Sequence, residues 1–237
     1  MGPIKTWSFS RLQTFEKCAQ QAYLRYVEKI PEPEQELPPG KTEHPLDRGS
    51  RIHEAAELFV RGGVELIEEL ESFRTEFEAL REHFKAGRVT LEEDWGIDVN
   101  WDATSWRSSN IWGRFKLDAM VWLSKHHAVV IDYKTGKKFG NEVKHMEQGQ
   151  LYQLAAFMRY PDLVEVDVEF WYTDQNELTH THFTQAQGFA LHKKFDDRAH
   201  AMTDAVNFPP RPSLFICKWC PFGPAGTGHC KVGVQIT

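Results

Sequence analysis

Three residues in the middle of the chain have types and spacing suited to catalysis. They are Asp118, in Gly113-Arg114-Phe115-Lys116-Leu117-Asp118, and Asp132 with Lys134, in Val130-Ile131-Asp132-Tyr133-Lys134-Thr135-Gly136. Both runs read as strands. Successive strand side chains point to opposite faces, so Asp132 and Lys134 share a face while Ile131 and Tyr133 point the other way. A carboxylate on each of two neighbouring strands makes a site for a hard divalent cation such as Mg²⁺ or Mn²⁺. The Tyr133 backbone carbonyl can add a ligand. Such an ion lowers the pKa of a bound water and neutralises phosphate charge. Lys134 can orient the water or stabilise the developing charge. Together these groups are what hydrolysis of a phosphodiester needs. Taken alone, an Asp-x-Lys is an ordinary solvated hairpin face in most proteins, so its weight depends on its company.

Two pairs flank it. Gly49 and His53 are i,i+4 on one helix face, and the glycine lets that face approach other backbone or a metal closely. Gln148 and Tyr152 are again i,i+4, able to hydrogen-bond a phosphate or stack on a base. Lys134, Lys137, Lys138 and Lys144 form a local basic run after the motif, and Arg107, Arg114 and Lys116 another before it. The formal net charge of −6 counts against a general polyanion binder, but a catalytic groove needs only local positive charge.

The elements that must position these residues follow from periodicity. Leu12, Phe15, Ala19, Ala22, Tyr23 and Tyr26 recur at helical spacing, which predicts a helix over 11–28 with Ser10 as its N-cap. Residues 31–45 hold five prolines and read as a flexible or extended connector. Helices are expected at 48–60, ended by Gly62-Gly63, and at 64–85. Short strands are expected at 89–93 and 97–99. A hairpin then runs from 111–123, with Phe115, Leu117, Ala119, Val121 and Leu123 on one face, to 128–134. A helix at 143–160, strands at 164–173 and 178–183, and a last long helix at 185–206 complete the pattern. With 237 residues, 41% hydrophobic and 13% aromatic, the chain can build a substantial core. The expected class is α/β or α+β, one mixed sheet flanked by helices. No run approaches 18 apolar residues and no signal-peptide pattern opens the chain, so a cytoplasmic protein is expected.

There are four cysteines, Cys18, Cys217, Cys220 and Cys230, the number for one Cys₄ site. Cys217-x2-Cys220-Pro221 is a spacing that lets two thiolates grip one metal or cluster. Cys230 would return over a Pro/Gly loop, and Cys18 would join from the first helix, stapling the two ends of the chain. Zinc, with His229 as a substitute ligand, disulfides and free thiols are the rival readings; a reducing cytosol disfavours disulfides.

The ordered set Gly49-x3-His53, Asp118, Asp132-x-Lys134 and Gln148-x3-Tyr152 resembles the PD-(D/E)XK nuclease superfamily. It is most similar to the branch of RecB/AddB nuclease domains and CRISPR adaptation nucleases, with their phage-encoded relatives. Ser8-Phe9-Ser10-Arg11-Leu12 leading to Cys18 resembles that branch's opening helix, and the match runs from residue 8 to residue 230. The resemblance implies a restriction-endonuclease-like core at 89–206 within a single nuclease domain. A helical part at 8–88 would precede the core, and a Cys-rich tail at 207–237 would follow it. It further implies that His53, Asp118 and Asp132 ligate Mg²⁺ or Mn²⁺, that Lys134 is catalytic, and that Gln148 and Tyr152 contact DNA, with Lys137 and Lys138 alongside. A further acid in the first strand would be Glu92 or Glu93. The branch carries a [4Fe-4S] cluster on one early and three late cysteines, commonly with five residues in the last gap; here there are nine.

The function expected is a metal-dependent DNA nuclease, foremost an exonuclease on single-stranded DNA or DNA ends in recombination, repair or phage DNA processing. A helicase or recombination protein would be its partner, in a bacterial or phage-infected cell. A structure-specific endonuclease or resolvase, and a non-catalytic DNA-end-binding module, are the alternatives.

Overall fold

The computed structural model describes residues 1–234. The first helical stretch is two helices where periodicity predicts one: α1 (Phe9–Lys17) and α2 (Ala19–Tyr26). They part at Cys18, whose backbone is extended (φ −163°, ψ 110°). Apolar spacing survives a one-residue break, so periodicity does not register it. Ser8, not Ser10, is the N-cap, its hydroxyl accepting from the Arg11 N–H at 3.4 Å.

Helix α3 (Pro45–Arg61) opens with proline, where a missing N–H costs nothing, and ends on Gly62 at φ 86°. It starts three residues before the expected point. The expected helix over 64–85 is instead a 3₁₀ segment, Glu68–Phe73, followed by α4 (Arg74–Lys85). The two short strands expected at 89–93 and 97–99 are one, β1 (Val89–Ile97), with Glu92 at φ 51°. That is the left-handed region, uncommon for a residue bearing a Cβ.

Strand β2 (Ala103–Thr104) pairs with β1. Strands β3 (Gly113–Ser124) and β4 (His127–Lys134) form the expected antiparallel hairpin, Met120 opposite Val130 and Ser124 opposite His127. Leu123, expected on the buried face, is exposed where the hairpin turns. Helix α5 (Glu142–Arg159) carries the chain across to β5 (Glu165–Tyr172), parallel to β4, as a parallel neighbour demands. Strand β6 (Glu177–Thr184) is the antiparallel edge, giving the order β2-β1-β3-β4-β5-β6. The expected last helix splits into α6 (Gln185–Ala190) and α7 (His192–Thr203), and a short α8 (Leu214–Cys217) lies in the tail, unforeseen. The expected mixed sheet flanked by helices is therefore present.

One sheet face packs on α3 and α4 through Ile52, Phe59, Phe77, Ile131, Tyr133 and Trp171. The Phe77 ring centroid lies 5.2 Å from those of both Tyr133 and Trp171. Each such buried side chain stabilises by roughly 1.5–3 kcal/mol relative to exposure. Helix α5 packs tightly on β5: a Cβ on Gly149 would stand 3.2 Å from Val168 and Phe170 carbons. By its contacts the chain forms two compact units. One comprises residues 1–36, 112–114 and 193 onward, the other residues 37–111 and 115–192. Among the described residues no helix is long and apolar enough to cross a membrane.

Candidate active site

His53, Glu92, Asp118, Asp132, Lys134, Gln148 and Tyr152 all belong to the second unit, where α3, β1, β3, β4 and α5 converge.

Helix α3 presents Ile52, Ala56 and Phe59 to the sheet, which leaves His53 on the flank of that buried stripe, half-buried. Its first turn is anchored by Arg48, which donates to the Thr135 carbonyl at 3.1 Å and grips Asp174 with two bonds of 2.8 and 3.0 Å. So anchored, His53 Nδ1 donates to Asp118 Oδ1 at 2.9 Å. The other Asp118 oxygen accepts the Tyr133 backbone N–H at 2.7 Å. Asp118 is buried, and burial together with the neighbouring Asp132 carboxylate raises its pKa against the pull of His53 and the Tyr133 amide. Burial pushes the His53 imidazole down, but Asp118, Asp132 and Glu92 outweigh it and the net shift is upward. Opposed carboxylates out of water are a standing demand for a cation.

Glu92 completes the group. His53, Glu92 and Asp118 each offer a ligand atom within 4.8 Å of the others. Glu92 Oε2 pairs with Lys116 Nζ at 2.8 Å, while Oε1 is buried without a hydrogen-bond partner. A buried carboxylate oxygen left unpaired costs free energy, and an imidazole with two carboxylates is a donor set that a divalent ion satisfies. Of the two glutamates it is Glu92 that lies beside His53 and Asp118, while Glu93 accepts from the Trp95 indole N–H at 3.1 Å. An open cleft lined by Gly49, Ser50, His53, Glu57, Glu92 and Lys116 leads to the trio. At Gly49 a Cβ would meet Thr135 Oγ1 only at ordinary contact distance, so bareness there is no requirement for close approach.

Asp132 is buried beside this group and pairs with Lys134 Nζ at 2.5 Å. Lys134 also donates to Gln148 Oε1 at 2.9 Å. The Gln148 amide nitrogen donates to the Tyr152 hydroxyl at 2.6 Å and reaches Asp132 Oδ1 at 3.4 Å. Tyr152 is buried, and burial raises its pKa well above the ordinary value, with Asp132 adding to the shift. Gln148 is the more accessible member of that pair. Tyr133 points its ring into the core, and its N–H faces Asp118. Its carbonyl points to that same strand edge, since a strand residue's N–H and C=O share a side.

The basic run divides. Lys137 is exposed, Lys138 is engaged with Glu177 at 2.6 Å, and Lys144 is also exposed, its pKa lowered by partial desolvation of the ammonium and by Lys134. In the other unit, Cys18, Cys217, Cys220 and Cys230 all line one pocket. Burial raises the Cys220 thiol pKa, and the nearby Cys18 and Cys230 raise it further. The Arg211 N–H donates to Cys18 Sγ at 3.4 Å. Four thiols lining one pocket are a donor set that suits a Cys₄ centre.

Sequence reasoning missed Arg48, whose only signal is its position one residue before Gly49. It also left Glu92 undecided, because the left-handed turn of β1 at that residue has no signature in a glutamate.

A family model described as the PD-(D/E)XK nuclease superfamily matches residues 6–225. No curated protein matches the sequence. A crystal structure of a putative exonuclease from Eubacterium rectale is similar over 98% of this chain and 91% of its own, with 13% identity and a TM-score of 0.54. A crystal structure of an alkaline exonuclease from Laribacter hongkongensis aligns over 85% of this chain and 88% of its own, with 13% identity and a TM-score of 0.32. At such identity the first likeness speaks to the fold, a sheet flanked by helices consistent with a restriction-endonuclease-like core.

Proposed function

This chain belongs to the PD-(D/E)XK nuclease superfamily, and from that premise we propose that it is a Mg²⁺- or Mn²⁺-dependent deoxyribonuclease, acting as an exonuclease on single-stranded DNA or DNA ends. The observation that carries the reading is the convergence of His53, Glu92 and Asp118 beside the Asp132–Lys134 pair. His53, Asp118 and Asp132 would hold the ion, with Glu92 as a further carboxylate and the Tyr133 carbonyl on the same edge. When bound, the ion supplies acidification of water and neutralisation of phosphate charge.

The chain's own residues do the rest. Lys134, buried on one side and tied to Asp132 and Gln148, is held as a fixed cation at the place where charge develops on the phosphate. Gln148 holds that ammonium in position, and Tyr152 holds Gln148. Lys116, half in solvent at the cleft, offers a second positive group to a phosphate backbone, and exposed Lys137 a third. The name of the Eubacterium rectale structure, a putative exonuclease, is in keeping with attack at ends.

For the cysteines we propose a structural [4Fe-4S] centre on Cys18, Cys217, Cys220 and Cys230, with zinc as the alternative. An ultraviolet–visible spectrum of anaerobically purified protein with iron, sulfide and zinc analysis separates the two.

Digestion of end-labelled and circular single-stranded DNA with Mg²⁺ or Mn²⁺ tests the activity. Mononucleotides or short products from linear DNA, with circles left intact and EDTA stopping the reaction, are expected. Cleaved circles would make it an endonuclease, and persistent cleavage by Asp132→Ala would refute the assigned site.

A further inference from the structure

A second constellation stands apart from the nuclease site, on β4, β5 and β6. Asp167 lies in the middle strand, buried, with His182 directly opposite it on β6. His127 Nε2 meets Asp167 Oδ2 at 2.7 Å, His182 Nδ1 meets Oδ1 at 2.8 Å, and His180 Nε2 meets the same Oδ1 at 3.2 Å. His127, Asp167 and His182 each offer a ligand atom within 4.8 Å of the others. The cause is register: in this sheet His127 pairs with Glu165, Asp167 with His182 and Glu169 with His180, so all these side chains share one face.

We propose that His127, Asp167 and His182, with His180 as a further donor, form a binding site for a divalent ion of the zinc class. Atoms held about 2.0–2.2 Å from one such ion lie roughly 3 Å from one another; each imidazole stands 2.7–3.2 Å from an Asp167 oxygen, and the ligand atoms of the trio are all within 4.8 Å of one another. Two or three imidazoles with one carboxylate favour zinc, nickel, copper or cobalt over magnesium, which prefers oxygen ligands and its own waters. The other ring nitrogen of His127 faces Glu165 Oε2 at 3.7 Å. A carboxylate behind a histidine is the outer support that orients metal-ligating imidazoles. His180 and His182 are about half exposed on the edge strand, so the site opens to solvent and an ion can enter without unfolding. None of these residues belongs to the nuclease site.

Equilibrium dialysis of the full chain against Zn²⁺ in excess Mg²⁺, followed by metal analysis, tests it. Wild type and Asp132→Ala should each retain one more zinc per chain than His182→Ala or Asp167→Asn. Glu165→Gln should bind that zinc roughly 10- to 100-fold more weakly. Because Asp167→Asn removes a buried charge and can perturb the fold, His182→Ala on the exposed edge is the decisive variant. Imidazole NMR signals of His127 and His182 should also shift together during the titration. Equal zinc in wild type and His182→Ala, or an extra zinc that leaves with Asp132→Ala instead, would overturn the site and leave the cluster a hydrogen-bonded network.

Discussion

Lys134 and Gln148 are joined by a 2.9 Å hydrogen bond between the end of β4 and the second turn of α5. The bond exists because Gly149 lets the helix lie close on Val168 and Phe170. Gln148→Ala should leave the fold intact and free Lys134 to swing, lowering kcat by roughly 10- to 100-fold with little change in KM. Single-turnover cleavage measures it; a change confined to KM would mean that Gln148 only binds substrate.

Lys134→Ala and Asp132→Ala should each reduce cleavage by about 10²-fold or more, since the first removes positive charge aimed at the reacting phosphate and the second a carboxylate that would hold the ion. Circular dichroism and thermal melts should show both variants folded. Near-wild-type cleavage by either would move the chemistry elsewhere.

Glu92 holds a left-handed backbone and an unpaired buried oxygen. Glu92→Gly relieves both, at the loss of an exposed lysine's partner that is worth little. Metal-free protein should therefore be as stable as wild type or up to about 1 kcal/mol more so. The rise in Tm on adding Mn²⁺ should shrink. Calorimetry with and without the ion reads both effects, and an undiminished Mn²⁺ response would remove Glu92 from the site.

Cys220→Ala should lose the bound metal and at least ~2 kcal/mol of stability, because a metal centre closing distant parts of a chain contributes its binding energy to folding. Denaturant melts with metal analysis decide it. A fully stable variant without iron or zinc would show the thiols to be independent of any centre.

Burial, with Lys134 nearby, lowers the His145 pKa from 6.5 to about 4, and its Nδ1 meets the Tyr172 hydroxyl at 2.9 Å. Between those values the unfolded chain takes up a proton that the folded chain refuses. The stability contributed is thus full above pH 6.5 and is lost as pH falls toward 4. His145→Gln should flatten that decline by about 1–2 kcal/mol, allowing for solvent screening. Urea midpoints at pH 7.5, 6 and 4.5 measure it; parallel declines in both proteins would place the titrating group elsewhere.

The amino-acid sequence by itself determined the β3–β4 hairpin, the α5 crossover and the order of Gly49, His53, Asp118, Asp132, Lys134, Gln148 and Tyr152. These are matters of local alternation and of spacing along single elements, which neighbouring residues impose. Only the tertiary structure decided that Glu92 and not Glu93 joins His53 and Asp118, since one positive φ redirects a side chain without changing its type. Only it broke the first helix at Cys18, where apolar spacing runs on undisturbed. And only strand pairing gathered His127, Asp167 and His182, which lie 40 and 15 residues apart and share no motif. Register between strands is set by the whole packed sheet, so nothing local to any one of the three records that they meet.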